Sequence, residues 1–301
     1  MKPGCHPTRF GRGLARMLAM ALMGLWWAVA VADAFDDIRQ RGELIVGVKK
    51  DVPLWGQADP RTGQLTGLEP DLAALLAQRL GVRLRLVGLL SAERQQSLEQ
   101  RQVDLLIATL SDTPQRRQVM TLVTPHYYGS GVNILARKTS RFEHWRDLRD
   151  RRVCGRRGAF YNRSITVSHG IDVVALYSNE LALEALRDGR CDALLYDDTN
   201  IVAMLQDPAW SREYTMPLET LMFAPWAIAL HRQEEGGKLA SLVSQQVVEW
   251  HRAGTLLELE RRWGIPNSAF VKRMHEAWGR RAGDGFHCGT QLSARTPRDC
   301  L

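Results

Sequence analysis

Residues Ile107–Tyr128 read IATLSDTPQRRQVMTLVTPHYY, and they carry the chain from a buried strand into a carboxylate trap. The apolar run Val103–Ala108, broken only by Asp104, is short enough to be a strand covered on both faces. It ends in the hydroxyls of Thr109, Ser111 and Thr113, and Pro114 then favours a helix with Thr113 as its N-cap. Free N–H groups and the positive end of that helix would face whatever lies beyond the strand. Arg116, in the same first turn, carries a planar fork suited to a carboxylate, so an anion is expected there. Taken alone, a T-P-x-R turn is more often a surface arginine that caps a helix or pairs with a carboxylate.

Upstream, Glu43–Val48 predicts a strand and Asp59–Gly63 a turn. A helix follows with Pro70 at its start, Leu72, Leu75, Leu76 and Leu80 on one face, and Gly81 as its stop. Val82, Leu84 and Leu86 then alternate with Arg83 and Arg85 as a second strand, an order that implies parallel pairing. The segment LEQRQVDLLIAT from Leu98 recurs in outline as LRDGRCDALLYD from Leu186. Each unit has a helix end, a turn, an aspartate and a buried strand that stops at a polar residue: Thr109 in the first, Asp197 in the second. Open α/β sheets bind ligands beyond the carboxyl ends of their strands. Two such units facing one another enclose a cleft with Arg116 on one wall and Asp197 on the other, as a zwitterion requires. The bland alternative for Asp197 is the N-cap of a helix beginning near Thr199.

The T-x-S-x-T-x-x-R turn followed by the Pro125–Tyr128 aromatic element resembles the amino-acid-type (family 3) solute-binding proteins, the periplasmic receptors of ABC importers, over about Leu44–Ile265. The resemblance implies an α/β fold, the two-lobed type II periplasmic binding protein fold, each lobe a mixed sheet flanked by helices and joined to the other by a two-strand hinge. Lobe I would hold residues 35–130 and 224–278, lobe II 131–223, with 279–301 as a C-terminal tail. Arg116 would clamp the ligand's α-carboxylate with help from Ser111 and Thr109, and Asp197 would receive its ammonium, with Asp198 a competitor. Lys49, Asp51 and Trp55 would line the side-chain pocket, Trp55 standing in for an aromatic platform missing at Val52. Lys49 stands where receptors for basic ligands carry a carboxylate, which favours an acidic or neutral polar amino acid; an exposed strand-end lysine is the alternative. Gly158, Ala159 and Phe160 match a G-[ST]-[ST] turn that helps hold the carboxylate. Here the hydroxyls are missing and only backbone N–H groups remain to donate.

With 45% hydrophobic and 24% charged residues, the 301-residue chain is composed to bury a large core or two medium ones. Lys2, Arg9, Arg12 and Arg16 precede an apolar run from Met17 to Ala32 and a small-residue pattern, as in a signal peptide spanning residues 1–34, cleaved after Ala32 or Ala34. The run is shorter than the ~20 residues of a spanning helix. Removing four positive charges and Asp33 lowers the formal charge from +7 to +4, so much of the basic character belongs to export. The cluster Arg149, Arg151, Arg152, Arg156 and Arg157 lacks the aromatic interleaving of a nucleic-acid site and reads as a solvated face.

Cys5 leaves with the signal, and an even set of four remains for an oxidising compartment. Cys154 and Cys191 each open a predicted strand. The resemblance makes those strands neighbours, which pairs Cys154 with Cys191 and leaves Cys288 with Cys300. His287 beside Cys288 falls short of a zinc pattern, and no metal or cofactor is expected. The expected protein is a monomeric periplasmic receptor that passes a small-molecule amino acid to a membrane permease and binds no nucleic acid. A dehydratase-like enzyme on the same scaffold is the competing reading, with Glu69, Asp51 or His126 as nominal acid or base. The sequence shows no G-x-S-x-G, H-E-x-x-H or phosphate loop. A receptor signalling to a membrane sensor is the third.

Overall fold

The structure, a computed structural model, describes Met1 and residues 34–301; the expected signal segment and Cys5 otherwise lie outside the described residues. From Ala34 the chain forms a helix to Arg41, then β1 (Glu43–Lys49). The helix Leu68–Leu80 follows, two residues longer at its start than the proline suggests, and ends at Gly81 with φ +68°, a conformation that glycine adopts without cost. Next come β2 (Arg83–Leu89), β3 (Leu105–Ile107) and β4 (Met120–Leu122). The chain then leaves this lobe through β5 (Tyr128–Arg137) and builds β6 (Val153–Arg156), β7 (Val173–Leu176), β8 (Ala193–Asp197) and β9 (Tyr214–Thr215). It returns through β10 (Leu221–Trp226) to β11 (Ala229–His231).

Two mixed sheets result. The first has the order β2-β1-β3-β11-β4, parallel from β2 to β3 and antiparallel beyond. The second has the order β7-β6-β8-β5-β9, with β10 also paired to β5. The two crossing strands lie antiparallel, with Gly129 opposite Pro225 and Tyr128 opposite Trp226. At this crossing Tyr128 stacks on Trp226 at 5.2 Å, and Trp55 meets both rings edge-on at 5.9 and 6.1 Å. The aromatic knot sits in the larger core, which Ile38, Leu72, Leu76, Val243, Val247 and Trp278 continue.

The internal echo has a physical basis. Asp104 accepts the N–H of Ile45 at 2.7 Å and Asp192 accepts that of Arg152 at 2.9 Å. Each carboxylate ties the start of its own strand to the start of the neighbouring parallel one. The cysteines pair as Cys154–Cys191 and Cys288–Cys300. Residues 279–301 are not a loose appendage: they form a short hairpin, Arg281–Ala282 with Gly285–Phe286, and bury Cys288 and Cys300 in the large core. Among the described residues, no helix is long and apolar enough to cross a membrane.

Candidate functional site

β1 and β3 in one lobe end beside the end of β6 in the other, where Arg94 and Arg116 reach the Gly158 carbonyl and Asp51 meets Asn179, and where strand ends leave side chains free of sheet pairing. From the first lobe, Lys49 is 0% exposed, and its Nζ lies 2.8 Å from Asp51 Oδ1 while donating to Ser91 Oγ at 3.0 Å and to the Leu89 carbonyl at 3.3 Å. The exposed-lysine alternative is thereby removed. Burial, against the pull of Asp51, lowers its pKa to about 7. The Asp51 carboxyl is also desolvated, but Lys49 and the Asn179 N–H hold it below its ordinary value.

Thr113 caps the turn Pro114–Arg117 as its sequence requires, its hydroxyl accepting the Arg116 N–H at 3.3 Å. That helix is a single turn, too short for a helix dipole to hold an anion, so the positive charge here is that of Arg116 itself. Arg116 donates to the Ser111 carbonyl at 2.7 Å and, across the cleft, to the Gly158 carbonyl at 3.2 Å. Burial and the neighbouring Arg156 lower its pKa to about 10, while Asp197 acts in the opposite sense.

Thr109 has φ +45°, a conformation costly for a β-branched residue. It is held from both sides. Its N–H donates to Glu69 Oε1 at 2.5 Å, and its carbonyl accepts from Arg94 at 2.9 Å. Glu69 also accepts the Tyr127 hydroxyl at 2.7 Å; complete burial raises its pKa to about 7. The Thr109 hydroxyl and Glu69 Oε2 are buried without a partner among the described residues.

Arg94 escaped the sequence reading because it sits in a polar stretch that resembles an exposed helix. It is 2% exposed and gives hydrogen bonds to the carbonyls of Ser91, Ala108, Thr109 and, across the cleft, Gly158. Burial and its neighbours Arg116 and Arg156 lower its pKa to about 9.

The second lobe supplies the largest correction. Arg156 does not belong to a solvated basic face: as the last residue of β6 it is 3% exposed and forms an ion pair with Asp197, while Arg149, Arg151, Arg152 and Arg157 are exposed. Its guanidinium lies 5.1 Å from the Tyr196 ring centroid, and its Nε and Nη1 are buried without a partner among the described residues. Burial disfavours the charge, but Asp197 more than restores it and the side chain stays protonated. Burial likewise raises the Asp197 carboxyl, opposed by Arg156. Asp197 stands at the N-terminus of the helix Asp198–Met204 without capping it through its side chain, so the capping alternative fails. Asp198 is engaged elsewhere, accepting from Ser130 Oγ at 2.7 Å and the Gly131 N–H at 2.9 Å.

Three other expectations change. Trp55 packs inside the first lobe's aromatic knot, where its ring serves the core and not the cleft. The Ala159 N–H is used within its own turn, donating to the Arg156 carbonyl at 3.3 Å, and Ala159 and Phe160 pack against the second core. His126 pairs with Asp112 at 2.7 Å. Further bonds join the lobes: the Asn179 N–H to Asp51 at 3.0 Å, the Asn179 amide to the Asp51 carbonyl at 2.9 Å, and Tyr177 to Glu93 at 2.9 Å. Near the tail, His287, Cys288 and Cys300 bring potential ligand atoms within 4.8 Å of one another, but the sulfurs are joined in a disulfide and offer no thiolate to a metal.

A profile of bacterial extracellular solute-binding proteins, family 3, matches residues 44–266. The chain is 29% identical over 205 residues to the glutamine-binding protein of Geobacillus stearothermophilus, covering 66% of this chain and 76% of that one. It is 27% identical over 273 residues to the L-cystine-binding protein of Escherichia coli, covering 83% and 97%. Among solved structures, a mutant of ArgBP from T. maritima superposes with a TM-score of 0.70 at 26% identity, over 77% of this chain and 99% of that one.

Proposed function

The chain belongs to family 3 of the bacterial extracellular solute-binding proteins, and from that premise we propose that it is a periplasmic receptor closing on one polar amino acid, acidic or neutral, for delivery to the permease of an ABC importer. One observation carries the reading: Arg116 of one lobe donates to the Gly158 carbonyl of the other at 3.2 Å, two residues beyond the Arg156 that pairs with Asp197. Arg116 grips the α-carboxylate, with Ser111 and Thr109 beside it, and Asp197 takes the ammonium. Lys49 and Asp51 meet the side chain, and the Gly158–Phe160 turn closes over the ligand. The moving bodies are residues 35–130 with 224–278 and residues 131–223, turning about the paired crossing strands. Glutamine, cystine and arginine in the names of the related proteins support an amino acid as the guest.

Micromolar affinity requires about 8 kcal/mol from a ligand of about ten heavy atoms, close to the ceiling for small ligands. Charge-assisted bonds in a cleft that excludes water meet that demand. The test is a thermal-shift panel of the common amino acids on the purified mature chain. At a hundredfold excess over Kd the right ligand adds roughly 2.7 kcal/mol of stability. No shift with any of them defeats the reading. A dehydratase-like enzyme is the second reading, to which Glu69 offers a buried Oε2 without a partner among the described residues and a carboxyl that burial raises to about 7. Turnover of a prephenate-like acid without amino-acid binding decides for it.

A further inference from the structure

We infer that Arg156 makes the cleft selective for an amino acid that carries a second carboxylate, in preference to the corresponding amide. The inference rests on the receptor reading above and narrows it to a ligand class.

Charge is the first reason. Four cationic side chains, Lys49, Arg94, Arg116 and Arg156, meet three carboxylates, Asp51, Glu69 and Asp197, around these strand ends, while Asp112, which also acts on Arg116, is paired with Arg117. Lys49 is matched by Asp51, and Arg156 by Asp197. Arg94 and Arg116 have only carbonyl oxygens as hydrogen-bond partners, which orient a guanidinium without cancelling its charge. Glu69, whose Oε1 accepts from the Thr109 N–H and the Tyr127 hydroxyl, offsets one of these two charges, and one positive charge remains. A zwitterion of zero net charge leaves this excess in place. An amino acid with a second carboxylate removes it.

Geometry is the second reason. Arg156 uses Nη2 on Asp197, while Nε and Nη1, on a side chain 3% exposed, have no partner among the described residues. Nε–H and Nη1 point to different sides of the guanidinium, because both of its two-bond edges include the Nη2 that Asp197 uses, so each idle donor calls for one acceptor of its own, and a carboxylate oxygen accepts from a cation more strongly than an amide oxygen. Its position is central: Lys49, Asp51, Arg94 and Arg116 all feel its charge. With the α-carboxylate on Arg116, the second acidic group falls to Arg156. The ammonium is left with Asp197, which Arg156 engages through one oxygen.

The test is isothermal titration of the mature chain with L-aspartate, L-asparagine, L-glutamate and L-glutamine, in wild type, Arg156→Gln and Arg156→Lys. In wild type, one acid binds at least roughly tenfold tighter than its own amide, the discrimination a charged partner gives over a neutral one. In Arg156→Gln the acid weakens by about fiftyfold or more. The amide holds or gains, because Asp197 is released to the ammonium. Arg156→Lys recovers part of the acid's affinity. An amide that binds as well as its acid in wild type overturns the inference, as does an Arg156→Gln protein that weakens both alike. Should Arg156→Gln fail to fold, the wild-type ratio and Arg156→Lys still decide. A neutral or basic amino acid as the tightest ligand sinks this selectivity and leaves the receptor standing; no amino acid bound at all sinks both.

Discussion

Gly158→Ala separates closure from mere folding. Gly158 has φ +82°, and a methyl group built on it falls 2.7 Å from the Ser91 carbonyl oxygen, 2.8 Å from its carbon and 2.9 Å from the Ala92 nitrogen. All three are backbone atoms of the opposite lobe, so no side chain can turn away to make room. The lobes must part by several tenths of an ångström to restore ordinary contact, and the Arg94 and Arg116 bonds to the Gly158 carbonyl, already 3.2 Å long, then break. Overpacking costs about 1–3 kcal/mol, and a weakened charge-assisted bond about 1.5 more. Taken together, about 3 kcal/mol of closing free energy is lost, roughly a hundredfold in Kd.

Alanine also dislikes the left-handed backbone, by about 1–2 kcal/mol, but this falls on open and closed forms alike. Gly170→Ala supplies the control: φ is +65° there, and the nearest atom to the added methyl is Arg149 Nε at 3.7 Å. Both variants should lose a similar amount of ligand-free stability, and only Gly158→Ala should lose affinity. Calorimetry with the amino acid that stabilises wild type, and small-angle scattering with and without it, read the two effects. A Gly158→Ala protein that binds within threefold of wild type and still compacts on binding refutes the reasoning.

Arg116→Ala should weaken the ligand by roughly a hundredfold or more, since a charge-assisted grip is lost. Its ligand-free melting point should barely change, because its protein partners are two carbonyls; a large fall would mean a structural role instead. Glu69 titrates near 7 in the fold, above its ordinary 4.5. Its protonated form therefore adds stability that is complete below pH 4.5 and is lost as the pH rises through 7, on the order of 3 kcal/mol. Glu69→Gln should flatten the fall in melting temperature between those values, leaving the share due to Glu260, which burial also raises to about 7; an unchanged slope contradicts the assignment. Replacing Cys154 and Cys191 together by alanine should cost about 4 kcal/mol in denaturant unfolding, the chain-entropy value for their separation of 37 residues. A loss below 1 kcal/mol would show that the bridge does not constrain the unfolded chain.

Much of the scaffold was legible in the sequence because its signals are local. The Thr113–Pro114 cap, the stop at Gly81 and the alternation after Val82 are each settled within a few residues. The two echoed aspartates announced equivalent strand starts. Arg94 and Arg156 were hidden because charge in a sequence is read as exposure, and their burial comes from the opposite lobe and from strands far away along the chain. A signal for Arg156 did exist: it is the last residue of a short buried strand, the position from which open α/β sheets in general address ligands. Trp55 misled for the converse reason, since nothing nearby in sequence reveals Tyr128 and Trp226 as its neighbours.

Asp197 and Asp198 are joined by one peptide bond yet answer to different parts of the molecule. Asp198 fastens Ser130 and Gly131 of the crossing strand to the start of its own helix. The crossing strand is thereby tied one peptide bond away from Asp197. Asp198→Asn would loosen the join between this helix and the crossing strand, and would also remove a charge that acts on Asp197.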